Sequence, residues 1–161
     1  MTQHHTHQRI NLADLANQVL MDRGLRPFFS ESSLHQLEHI NEEALTTSAH
    51  IKDLTDLLWC SIDNDDSKDL DQLTVSESHD QGEVTIMVAI ADVDSLVKKG
   101  SPIDEQALAN TTSVYTSAKI FPMLPEKLST NLTSLNPGVK RPAMVVEMRF
   151  DAKGELQKYE V

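Results

Sequence analysis

The chain has 161 residues, with 14 Lys and Arg against 25 Asp and Glu and a net charge of −11. Its 39% hydrophobic content supports one modest core, and no apolar run approaches the ~20 residues of a membrane span. The polar start shows no secretory apolar region, and Cys60 is the sole cysteine, so an intrachain disulfide and a Cys-rich zinc site are excluded and a cytoplasmic setting is expected.

Residues 1–9 read as a solvated, flexible tail, in which His4, His5 and His7 offer at most a stray metal contact. Asn11 then opens a helix. Leu12, Leu15, Ala16, Val19 and Leu20 recur at 3.6-residue spacing, and Gly24 ahead of Leu25-Arg26-Pro27 marks its end. A second helix is predicted from Ser30 through Leu34, Leu37 and Ile40. Together they form a helical appendage over residues 10–52.

From Leu57 the pattern changes. Leu57–Ile62 predicts a short buried strand, with Trp59 and Cys60 in the core. Leu73–Ser78 predicts a strand, His79-Asp80-Gln81-Gly82 a turn, and Val84–Ile90 a strand apolar enough for burial on both faces. Ser101-Pro102-Ile103-Asp104 starts a helix that ends before Thr111 or Thr112. Phe121–Pro125 is a loop constrained by two prolines. Ala143–Phe150 predicts another strand, which turns through Asp151–Gly154 into a last strand over Glu155–Val161.

The acidic stretch Asp63-Asn64-Asp65-Asp66-Ser67-Lys68-Asp69-Leu70-Asp71-Gln72 carries the chemistry. Its five aspartates repel one another. Either water and salt relax that repulsion in a solvated surface loop, or a divalent cation offsets it. A calcium loop of the EF-hand type fails, because Lys68 stands where its Gly is needed and Thr74 where its bidentate Glu is needed. In an extended segment Asp69 and Asp71 point to one side and Leu70 to the other, so Leu70 can anchor the loop while both acids face a common site. The charge also sets a problem. Binding nucleic acid through a general basic surface needs a basic protein, and this one is acidic.

Ser61-Ile62-Asp63 with Asp69-Leu70-Asp71, then Val88-Ala89-Ile90-Ala91-Asp92-Val93, resembles the RNB domain of the ribonuclease II and ribonuclease R exoribonucleases. The resemblance continues in order through Gly100–Asp104, Ser113-Val114-Tyr115, Phe121–Pro125 and Ser134-Leu135-Asn136-Pro137, and covers about residues 53 to 161. It implies an α+β fold: the helical appendage followed by a partial RNB-type mixed β-sheet with covering helices. It implies processive, Mg²⁺-dependent hydrolysis of single-stranded RNA from the 3′ end to nucleoside monophosphates. It places Asp69 and Asp71 in catalysis and Asp63, Asp69, Asp71 and Gln72 at the metal. Gln72 departs from the family, which has a fourth acid there, and brings no charge. Tyr115 matches an aromatic that stacks on the RNA; read alone, it is an ordinary half-buried tyrosine near a helix end. Asp92 lines the same cleft or caps a turn.

A whole RNB domain is far longer than this stretch, and its phosphate-binding arginine and much of its basic channel belong to the part not matched. The expectation is therefore a domain truncated at its C-terminus. Two other readings stay open: a non-catalytic fragment that binds RNA or a partner, and an acidic metal-binding domain unrelated to RNA. Open strand edges also predict self-association.

Overall fold

The structure is a computed structural model that describes residues 10–41 and 51–161. The expected tail at residues 1–9 lies outside the described residues. Helix α1 (Leu12–Asp22) is capped as predicted, with Asn11 Oδ1 accepting from the Ala13 and Asp14 amides. It closes at Gly24, whose φ of +79° suits a residue without Cβ. The Gly24 amide returns to the Met21 carbonyl and the Leu25 amide to that of Leu20, which satisfies two otherwise unpaired carbonyls. Of the apolar stripe on α1 only Leu20 is buried, while Leu12, Leu15 and Val19 stay exposed.

Helix α2 (Glu31–Glu38) starts at Ser30, whose hydroxyl accepts from the Ser33 amide. Helix α3 (Pro102–Asn110) starts at Ser101 with proline in its first turn and two acids at its positive end. It ends on Thr111 in the left-handed region, at φ 60°. The two helices meet side by side. Ser33 Oγ donates to the Pro102 carbonyl at 3.0 Å, and the Ile103 amide donates to Gln36 Oε1 at 2.9 Å. Two side chains of α3 also hold the extended link between α1 and α2. Asn110 exchanges two hydrogen bonds with the Arg26 backbone, and Gln106 accepts from the Ser30 amide and donates to the Phe28 carbonyl. Each is a carboxamide doing what a neighbouring strand would do.

The main core lies among these helices. Ile40, Leu96, Val97, Ile103, Leu128 and Leu132 cluster there, with Leu37, Val93 and Leu124 against them. Leu128 and Leu132 come from a π-helical segment, Lys127–Leu132, which directly follows the proline loop at Phe121–Pro125. Pro125 starts it, because its carbonyl accepts from the Leu128 and Ser129 amides.

Strands β1 (Gln72–Ser78), β2 (Val84–Ala91), β5 (Ala143–Phe150) and β6 (Leu156–Glu160) form one sheet in the order β1-β2-β5-β6. Strands β3 (Val114–Tyr115) and β4 (Ile120–Phe121) form a small hairpin that was not predicted. The α+β class is as expected. A mixed sheet is not: each pairing is antiparallel, because β1–β2 and β5–β6 are joined by short turns that reverse the chain, and β5 returns against β2.

Strand β2 is buried on one face only. Thr85, Met87 and Ala89 are buried, whereas Val84, Ile86 and Val88 are half-buried and Ile90 exposed. Ile90 pairs with Met144 and Met148 with Tyr159, so this apolar face continues across β5 to β6. The expected covering helices pack mainly on each other. The predicted strand at Leu57–Ile62 reduces to a single bridge, Cys60 to Thr74. Cys60 is exposed, Trp59 is half-buried with its indole donating to the Leu54 carbonyl, and Leu58 and Ile62 are 90% and 88% exposed. The chain there rides the sheet edge with Leu58 and Ile62 turned outward and Leu57 and Trp59 only half-buried, so it does not enter a core. No helix among the described residues is long and apolar enough to cross a membrane.

Candidate active site

The acidic loop runs from the Cys60–Thr74 bridge to the start of β1. A turn at Asp65–Asp66, closed by the Ser67 amide on the Asn64 carbonyl at 3.0 Å, folds its first half back. Asp63, Asp65 and Asp66 lie exposed along that half. The second half is fastened from below. Ser134 is 2% exposed; its hydroxyl accepts from the Leu70 amide at 3.0 Å and donates to the Lys68 carbonyl at 2.9 Å. The Leu135 amide donates to the Leu70 carbonyl, and the Ala91 amide to that of Asp71. Leu70 is thus half-buried, while Asp69 and Asp71 on either side of it are exposed. Alternation along an extended chain produces that division, as the sequence suggested.

Tyr115, 65% exposed on β3, reaches across to this segment. Its hydroxyl donates to Asp69 Oδ2 at 3.2 Å. The phenol is pushed above its usual range, first by the charge of Asp69, then by partial desolvation, the hydrogen bond to Asp69 and the charge of Asp71. Both acids therefore act on one aromatic. Gln72 is the first residue of β1, paired with Ile90, and exposed. Asp92 caps a turn: its carboxylate accepts from the Ser95 amide at 3.2 Å. Two shallow hollows lie elsewhere, on the sheet beside His79 and Arg149.

The structure thus brings Asp69, Asp71 and Tyr115 together. It does not gather Asp63 with them into a cage: among the described residues no three His, Cys, Asp or Glu side chains converge on a metal position. The donor chemistry nevertheless suits Mg²⁺, which takes hard oxygen ligands, keeps several waters and is commonly held by one or two carboxylates. Asp69 and Asp71 supply such a pair, and the Gln72 amide a neutral oxygen. Ser134 fastens the loop and is the residue there that side-chain chemistry alone would miss. Its signal was the run Ser134-Leu135-Asn136-Pro137, in which Asn136 also donates to the Thr130 carbonyl and fixes the turn.

The RNB domain family matches residues 51–161. The chain belongs to this family. Ribonuclease R of Escherichia coli K12 is 43% identical over 122 residues, covering 76% of this chain and 15% of that protein. Ribonuclease R of Mycoplasmopsis pulmonis is 43% identical over 110 residues, covering 68% and 15%. Among solved structures, Mycoplasma genitalium RNase R in complex with double-stranded RNA superposes with a TM-score of 0.82 at 31% identity, covering 93% of this chain and 27% of that one. The same enzyme with ribose-methylated single-stranded RNA gives 0.79 at 32%. The RNB chain described here therefore spans about 15% of these curated relatives. The structural match takes in more of the chain than the family match, and so includes part of the helical segment before residue 51.

Proposed function

We propose that this chain is part of an exoribonuclease that hydrolyses single-stranded RNA from its 3′ end to nucleoside monophosphates. The observation that carries the proposal is the convergence of Asp69 and Asp71 on Tyr115 within an RNB-family segment. Asp69 and Asp71 are assigned to catalysis, and Asp63, Asp69, Asp71 and Gln72 to Mg²⁺. When bound, Mg²⁺ supplies charge relief at the scissile phosphate and an activated water. The chain's own residues do the rest. Ser134 and Leu135 hold the backbone of Lys68 and Leu70 still, so the two carboxylates keep a fixed separation. Tyr115 offers an exposed ring for base stacking, worth about 1–3 kcal/mol and indifferent to sequence. Its hydrogen bond to Asp69 ties the stacked end of the RNA to the acid that must act on it. The net charge of −11 then follows the chemistry: part of it lies in the loop where a cation would mediate phosphate contact.

Among the described residues no three-acid cluster forms, and the second reading is a fragment that binds RNA or a partner without hydrolysing it. Release of monophosphate from 3′-labelled single-stranded RNA separates the two. Mg²⁺-dependent release by this chain that is lost in Asp71→Asn supports catalysis. Retained RNA binding with no release at any Mg²⁺ concentration overturns catalysis by this chain and supports the second reading. We further propose a cytoplasmic setting, and self-association through the open edge of β6, whose residues are all exposed. A monomer by light scattering at high concentration counts against the latter.

A further inference from the structure

We propose that His35 and His39 form a two-nitrogen site for a borderline transition-metal ion, Ni²⁺ or Zn²⁺, on the exposed side of α2. They stand four residues apart, the spacing that puts two imidazoles on one face of a helix. Their ring centroids are 4.7 Å apart with the planes tilted by 44°, and both residues are exposed. The geometry also fixes a protonation pattern. His39 Nδ1 lies 2.8 Å from the His35 carbonyl oxygen. A carbonyl can only accept, so Nδ1 of a neutral His39 carries the proton and Nε2 keeps its lone pair. A backbone carbonyl holding the far nitrogen is the arrangement that orients metal-ligating histidines and raises their basicity.

The carrier is rigid. Ser33 is fully buried and bonded to α3, Gln36 accepts from the Ile103 amide, Lys127 Nζ donates to the Leu37 carbonyl, and Ile40 enters the main core. Holding both rings on a fixed helix lowers the ordering cost of chelation. No third His, Cys, Asp or Glu joins the pair among the described residues, so water completes the coordination and the ion exchanges freely. Donor type separates this site from the acidic loop. Imidazole nitrogen suits Ni²⁺ and Zn²⁺, whereas the carboxylates of Asp69 and Asp71 suit Mg²⁺. A bound ion would bridge the last turn of α2 to its C-cap, His39, and resist fraying next to Ile40.

The test uses the full chain with His4, His5, His7 and His50 replaced by alanine, in excess Mg²⁺ to occupy oxygen sites. Calorimetric titration with NiCl₂ is expected to show one ion per chain. Saturation should raise the thermal midpoint by about 3 °C, and paramagnetic broadening should centre on the amides of residues 34–40. His35→Ala, at an exposed helical position where alanine is a good helix former, should keep the metal-free midpoint and lose the binding. His39→Ala should lose it as well. Undiminished Ni²⁺ binding in His35→Ala, or no binding in the parent, overturns the site. None of these readouts depends on RNA or on Mg²⁺ chemistry, so either reading can fail alone.

Discussion

The helical lobe and the sheet both carry large apolar side chains, yet these end differently. Ile103 and Leu128 have no exposed surface, whereas Ile90 and Met144, paired across two strands, are 48% and 57% exposed. The helical core closes because α2, α3, the turn at Leu96–Val97 and the π-helical segment converge from separate parts of the chain. Polar side chains such as Gln106 and Asn110 fasten their links. The sheet has hydrogen bonds along every internal edge but no comparable layer on its Val84–Ile90 face. An apolar pattern says which residues seek cover; it does not say which of them find it.

The widest test of that contrast is a pair of truncations. Leu128→Ala should destabilise the chain by about 2–5 kcal/mol in urea unfolding, because it opens a cavity in the core that its neighbours fill only in part. Met144→Ala should stay within about 0.5 kcal/mol, as surface substitutions do. Equal costs would mean that the sheet face is covered in solution. A smaller effect probes the polar fasteners. Gln106→Ala leaves the Ser30 amide and the Phe28 carbonyl without their partner, at about 1–3 kcal/mol. Unchanged stability would show that the α1–α2 link is not held by α3.

Ser134 joins the two regions, since it belongs to the buried side but holds the exposed acidic loop. Ser134→Ala should slow monophosphate release about 10- to 100-fold, as loss of a residue that positions metal ligands does. Global stability should fall far less than in Leu128→Ala. If release and stability fell in step, Ser134 would be a packing residue and nothing more.

Local signals made much of this legible. Asn11, Gly24, Ser30 and Ser101 marked helix ends because caps are decided within four residues. Alternation placed Leu70 inward and its neighbouring acids outward. The errors came where distant chain decides. Leu57–Ile62 has the composition of a buried strand, but only Cys60 pairs, and with nothing packed over them Leu58 and Ile62 remain outside. The π-helical segment was hidden because Pro125 reads as a loop residue, although a proline whose carbonyl accepts from two later amides is a helix start. The embrace of residues 26–30 by Asn110 and Gln106 spans about eighty positions, and nothing short-range announces it.

The finest test concerns the acids themselves. Tyr115 holds its proton to higher pH than an ordinary tyrosine because Asp69 and Asp71 oppose a phenolate beside them. The sign follows: the neutral phenol is favoured in the native state, that contribution is whole below the unfolded tyrosine value near 10, and it is lost as pH rises through the higher native value. In a Tyr159→Phe background, where Tyr115 is the remaining tyrosine, ultraviolet titration should show this upward displacement. Asp69→Asn should remove most of it and Asp71→Asn a smaller part, the order in which the two charges act on the ring. Equal effects would place the carboxylates at equal distances from the phenol. No effect from either would dissolve the cluster on which the proposed site stands, since Tyr115 is the group through which the two acids are seen to share one place.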